Sequence, residues 1–234
     1  MRHTAFRGAI ALALLAVCLA GCAQTREMRS DSASAFSWSG DAEKRIVMMP
    51  PDVVLAELTA GGMTEPRADW TKAAQASVMA SLNGALSQKG IAVVEADALT
   101  DPHDVQIEKL HNAVGGQILL HGFGPGKLPT KGTALDWTLG PGAKTLHDKY
   151  KADYAMFVYV RDSYSTAGRR AVQLFAAMLG AAVQGGVQVA FVSVVDLRTG
   201  NVVWFNFLVD QYGDLRDARG TANFTDAILK GNPL

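Results

Sequence analysis

Along the chain, apolar and polar positions alternate in blocks that change period, and the blocks predict the elements. Arg45-Ile46-Val47-Met48-Met49-Pro50-Pro51 is a short apolar run closed by two prolines, which supply no ladder N–H, so it reads as a buried strand with a hard stop. Asp52–Leu58 continues it, extended or as a helical turn, until Gly61-Gly62 breaks the pattern. Pro66 suits a first helical position. After it Trp70, Ala74, Ser77, Val78, Ser81, Leu82 and Ala85 recur at three- and four-residue spacing, one face of an amphipathic helix, and Gly90 marks its end. Ile91-Ala92-Val93-Val94 is a second buried strand, and strand, helix and strand within about 50 residues predict a right-handed unit with parallel strands.

Further along, Asp101 can cap and Pro102 can open a helix reaching Leu119, with Val105, Leu110, Val114 and Ile118 as its apolar stripe. Residues 121–142 are rich in Gly and Pro, a long loop for a compact domain and therefore either functional or draped over the surface. A short helix at 143–150 leads into Ala152–Val160, apolar on both faces as a central strand is. Val187–Val195, the turn Asp196-Leu197-Arg198-Thr199-Gly200, and Asn201–Val209 predict a hairpin. Asp214–Lys230 closes the chain as a helix that Gly220 weakens. This order predicts an α/β domain with a mixed sheet, a βαβ start and a C-terminal hairpin, in two or three layers.

Between the central strand and the hairpin lies an unusual stretch, Tyr164–Gly186. Arg169-Arg170 precede AVQLFAAMLGAAV, an apolar run too short to span a bilayer as a helix, which wants roughly 20 residues. A core helix or an apolar loop on the sheet is the plain expectation; a segment that meets membrane or a second copy, with the Arg pair at the headgroups, is the functional one.

The amino terminus adds compartment and anchoring. Arg2 and Arg7 sit in a short start without acids, Gly8–Ala20 is apolar, and Leu19-Ala20-Gly21-Cys22 follows. A basic start, an apolar run and small residues before a cut site make a secretory signal peptide. With Cys22 directly after Leu-Ala-Gly, residues 1–21 resemble a bacterial lipoprotein signal. That resemblance implies cleavage before Cys22, a diacylglycerol on its thiol and an acyl chain such as palmitate on the new amine. Ala23 and Gln24, with no Asp after the Cys, resemble the pattern of lipoproteins exported to the outer membrane. Residues 22–44, rich in Ser and charge, predict a flexible lipidated tether, with Phe36 and Trp38 either packing onto the domain that spans 45–234, the plainer expectation, or meeting a partner.

Removing residues 1–21 takes away Arg2 and Arg7, leaving 20 basic and 22 acidic side chains, a formal charge of −2. Such a chain carries no electrostatic footprint for nucleic acid. Cys18 leaves with the signal and Cys22 becomes acylated, so no thiol remains for a disulfide or a thiolate metal site. Catalytic patterns are missing too. There is no G-x-S-x-G elbow. Gly122-Phe123-Gly124-Pro125-Gly126-Lys127 has His121 where a phosphate loop needs Gly, and Leu128 where it needs Ser or Thr. His103 and His111 are two helical turns apart, too far to share one ion. No catalytic, cofactor or metal residue is therefore expected beyond the covalent lipid on Cys22, and the chain is not expected to be an enzyme.

Lys144–Val160, a helix followed by K-A-D-Y-A-M-F-V-Y-V, is similar to the helix, Ala-Asp-Tyr and strand passage of the CsgG, LpoB and TolB amino-terminal group. Phe191–Trp204 resembles the final strand pair of the same group, with its D-x-x-T-G-x-x-x-W turn. The likeness covers roughly residues 45–210. It implies an anticodon-binding-like α/β fold and a lipid-anchored protein on the periplasmic face of the outer membrane. It also implies a binding or scaffold role in a cell-envelope assembly or transport system, with a protein partner or a second copy docking the domain. The alternative it offers is a homo-oligomeric secretion channel of the CsgG kind, since 171–183 lies near where CsgG carries membrane-inserting hairpins; the alternation that a barrel strand needs is absent there. A periplasmic hydrolase built on the 121–142 loop is a third reading. Leu135 and Trp137 of that loop, with Arg169, Arg170 and Phe175, are the candidate interaction residues.

Overall fold

The computed structural model describes residues 24–29 (backbone), 45–131, 134–210 and 212–234. The calls for a signal peptide at 1–21, for acylation at Cys22 and for packing by Phe36 and Trp38 lie outside them. The elements in chain order are β1 (Gln24–Arg29), β2 (Arg45–Met48), β3 (Asp52–Leu58), β4 (Thr64–Pro66), α1 (Ala68–Gln88), β5 (Ala92–Glu95), α2 (Pro102–Gln117), α3 (Lys144–Tyr150), β6 (Tyr154–Ser165), α4 (Ala167–Met178), β7 (Gln188–Asp196), β8 (Val202–Val209) and α5 (Ala218–Ile228). The chain is a mixed α/β domain, as the order of its patterns predicts.

One mixed sheet runs β1-β8-β7-β6-β2-β5. β2 pairs parallel with β5 and with the first part of β6, and β3 pairs parallel with the second part of β6. Pro50-Pro51 thus divide what would be one long neighbour of β6 into two strands laid end to end. β6, β7 and β8 follow antiparallel in register, Tyr154 opposite Asp196 and Val189 opposite Val209. Residues 24–29, expected within the flexible tether, are instead an edge strand paired antiparallel with β8, Gln24 opposite Val209.

The period-two alternation of β6 explains why the sheet is covered on both faces. Tyr154, Met156, Val158 and Val160 point into one core with Ala74, Val78, Leu82 and Leu86 of α1 and Phe224 and Ile228 of α5. Ala155 and Phe157 point into the other with Ile107 of α2, Leu146 of α3 and Phe191 and Phe205 of the hairpin. Three layers result.

Two local expectations need correction, and one left open is decided. Pro66 does not open α1; it closes β4 opposite Ala56, and the helix starts after Arg67. Asp52–Leu58 is a strand, because its partner β6 continues beyond the prolines. The buried face of α2 is Asp104, Ile107, Glu108, His111 and Gly115, while Leu110 is exposed. The polar groups win that face because each meets a partner. His111 Nε2 lies 2.9 Å from Ser193 Oγ, Lys149 Nζ is 2.7 Å from Asp104 Oδ2, Lys109 Nζ is 3.0 Å from Glu108 Oε2, and Gly115 leaves room for the Phe191 ring.

Candidate functional site

The feature of this fold that its own packing does not explain sits at the end of the sheet where β6 finishes. Thr166 starts α4 there, its side chain accepting from the Arg169 N–H at 3.0 Å and its own N–H donating to Leu58 O. Arg169 reaches sideways, donating to Gln184 O at 2.8 and 3.0 Å and to Ala60 O at 3.4 Å. Gln173 donates to Val183 O. These bonds use the 169–173 side of the helix to hold the returning chain 183–186. The opposite side is largely in water, and α4 has no buried residue. Leu174, Phe175, Met178 and Leu179 are 61–72% exposed, and Met63, on the β3–β4 turn whose Gly62 lies against Arg169, is 69% exposed. Full burial of each such side chain is worth about 1.5–3 kcal/mol, so a contiguous strip of them in water marks an interaction surface. The expectation of a core helix or a packed apolar loop for this stretch is therefore overturned: the helix forms, but its apolar face turns outward.

Beside α4 a cleft of about 550 Å³ opens between β6, the 185–186 glycines and the 212–216 turn. Its wall is ordered by Arg216, whose Nε and Nη2 donate to the two oxygens of Asp214 at 2.8 and 2.5 Å and whose guanidinium lies 3.9 Å from the Tyr164 ring centroid and 4.9 Å from that of Trp70. The Asp214 hydrogen bonds hold the Arg216 guanidinium above its ordinary pKa, and Arg216 in turn holds Asp214 below the usual carboxylate range. Tyr164 hydroxyl donates to Asp162 and accepts from the Leu215 N–H; burial, then the Asp162 charge, push its pKa up. Arg170 and Gln173 of α4 line the opposite wall.

The sequence-derived interaction residues separate. Phe175 stands in the exposed strip. Arg170 lines the cleft. Arg169 is a clamp that fixes α4 rather than a free contact. Leu135 is corrected outright: it is 4% exposed and, with Leu139, plugs the second core, because the loop is held down by a Thr138–Asn201 bridge. Trp137 is half-buried against that core with Lys131 Nζ 5.0 Å above its ring. The sequence reading missed Leu174, Met178 and Leu179 as surface residues; Leu174 and Met178 are four apart, and the period was visible, but not which way it faced. Met63, Tyr212, Asp214 and Arg216 carried no signal.

One cluster has the residue types of nucleophilic catalysis: Ser193, His111, Asn112 and Asp52, linked at 2.9, 3.2 and 2.7 Å. Ser193 is 0% and His111 1% exposed, so neither meets solvent or a substrate. Burial lowers the His111 pKa to about 4, and the neutral ring stacks on Phe157 at 4.7 Å. The cluster pins α2 to the sheet. His103 meets Thr145 Oγ1, His121 meets Gly126 O and His147 meets Ala152 O. Among the described residues no group of three His, Cys, Asp or Glu could hold a metal, and no helix is long and apolar enough to cross a membrane.

No family model matches the chain, and no curated protein matches it. Among solved structures, the PelC dodecamer from Paraburkholderia phytofirmans is similar over 88% of this chain and 96% of its own, at 13% identity and a TM-score of 0.37. A variant of that PelC dodecamer in a second crystal form is similar over 88% and 95%, at 14% identity and a TM-score of 0.38.

Proposed function

We propose that this chain is a lipid-anchored protein of the bacterial outer membrane, facing the periplasm, that serves as a binding or scaffold component of a cell-envelope system and performs no catalysis of its own. The observation that carries the reading is the outward apolar face of α4. It lies at the end of the sheet where β6 and β8 finish and where β1 begins, since Gln24 pairs with Val209. Two peptide units separate Gln24 from Cys22, a reach of about 7 Å. A lipid on Cys22 and the apolar strip of α4 then meet the same leaflet: the acyl chains anchor, and Leu174, Phe175 and Met178 settle into the interface. The far end of the domain, where Thr138 bridges Asn201, is left to a protein partner. The resemblance to the CsgG, LpoB and TolB amino-terminal group adds to this reading.

Membrane fractionation tests it, with wild type, Cys22→Ser and Cys22→Ser combined with Leu174→Ser and Phe175→Ser. Because the two α4 side chains are exposed, these substitutions leave the fold intact, which a thermal melt checks. The expected result is partial release for Cys22→Ser and full release for the triple variant. Retention of the triple variant at the wild-type level contradicts the reading. So does a native mass in detergent that falls from a defined oligomer to a monomer on changing Leu174 and Phe175, because the strip then packs on a second copy.

A further inference from the structure

The methionines of this fold divide sharply. Among the described side chains, Met48, Met49 and Met156 are fully buried, and Met79 packs against the first core. Met63 and Met178 are each 69% exposed, and both stand in the one apolar strip. Met178 ends α4 one turn after Leu174, and Met63 follows Gly62, which lies against Arg169. The other members of the strip, Leu174, Phe175 and Leu179, are hydrocarbon. The thioethers are therefore its oxidisable groups, and they are open to water while the buried ones are shielded.

A peroxide acts on such a sulfur directly. A sulfur lone pair bonds to one peroxide oxygen and the O–O bond breaks. The departing hydroxide takes the proton of the bound hydroxyl and leaves as water. The sulfur is oxidised by two electrons to a sulfoxide, and the peroxide is reduced. The product carries a strong hydrogen-bond acceptor, which costs free energy wherever it is taken out of water without a donor. We infer that Met178, with Met63 beside it, is an oxidation site through which a peroxide keeps α4 off the leaflet. This inference rests on the membrane reading above, because the sulfoxide acts by spoiling the surface that settles into the interface. The sulfur is attacked while α4 stands in water, and the polar product then disfavours its return.

The test mixes the full chain, carrying a spin label in place of Phe175, with vesicles of phosphatidylcholine and phosphatidylglycerol, before and after treatment with hydrogen peroxide. Peptide masses locate the added oxygen. The expected result is oxygen on Met178 and Met63 well ahead of Met48, Met49 and Met156, and a label that leaves the acyl region for water, its bound-to-free ratio falling about tenfold, the worth of part of one buried Met side chain. Met178→Gln is expected to mimic the loss without peroxide, and methionine sulfoxide reductase to reverse it in the treated chain. Met63→Leu combined with Met178→Leu keeps the apolar area and is expected to hold the label in place after peroxide. Oxidation of Met178 no faster than that of the buried methionines overturns the site. A label that stays in the acyl region although Met178 is a sulfoxide overturns the switch and leaves the membrane reading standing. So does an equal loss of depth in the double Leu variant, because peroxide then acts elsewhere. A label in water before any oxidation overturns both readings.

Discussion

His111 is a titratable side chain that acts as a core residue. Its ring is stacked on Phe157 and tied to Ser193, and burial keeps it neutral down to about pH 4. In the unfolded chain it protonates near 6.5. The unfolded state then binds more protons between these values, so stability is fully present above pH 6.5 and falls as pH drops towards 4, by on the order of 3 kcal/mol from this group. Urea melts at pH 7 and pH 4.5 are expected to show that loss in wild type and a smaller one in His111→Leu; equal slopes in the two proteins contradict it. Leu135 gives a second prediction of this scale. Sequence composition suggested an exposed loop anchor, but the side chain fills the second core, so Leu135→Ala is expected to cost about 2–5 kcal/mol in a denaturation experiment, where a surface residue costs within about 0.5 kcal/mol. Arg169 belongs with these residues: a charge that looked available is spent on Gln184 and Ala60 carbonyls and sets the direction in which α4 leaves the sheet.

Among the elements, those whose pattern reports burial directly were readable. β6 is apolar at consecutive positions and is central; β7 and β8 bracket a turn ending in Gly200 at φ 78° and form the hairpin. Gly90, at φ 74°, ends α1 as its position suggested. What the pattern could not report is which partner an element meets. The stripe of α2 was misread because buried polar groups with partners look like a solvated face. The apolar run at 171–183 reads as core because nothing local says that both sheet faces are already covered at that end. The weakness expected of α5 at Gly220 has a packing reason: a Cβ there would overlap the Asp214 carbonyl, and one at Gly213 would overlap Gly220. Gly220→Ala gains helix propensity yet is expected to destabilise by about 1–3 kcal/mol through that overlap, measurable as a lower denaturation midpoint. In α4 the direction is the reverse. Phe175→Ser is expected to leave the unfolding free energy of the domain within about 0.5 kcal/mol while weakening membrane association, since that side chain is 61% exposed already.

At the scale of the whole molecule the domain is polarised. One end of the sheet gathers the start of β1, the turn carrying Met63, the outward face of α4 and the cleft with Arg170; the other carries α3 and the pinned loop. Within the domain no function follows from the fold itself, which is a general α/β architecture; the asymmetry is what the account builds on. The decisive measurement is the bilayer depth of two spin labels in the protein mixed with vesicles, one replacing Phe175 and one replacing Lys144. The account predicts that the label at 175 is relaxed by oxygen in the acyl region and the label at 144 by a water-soluble reagent. Both labels in water, or the label at 144 in the bilayer, contradict it.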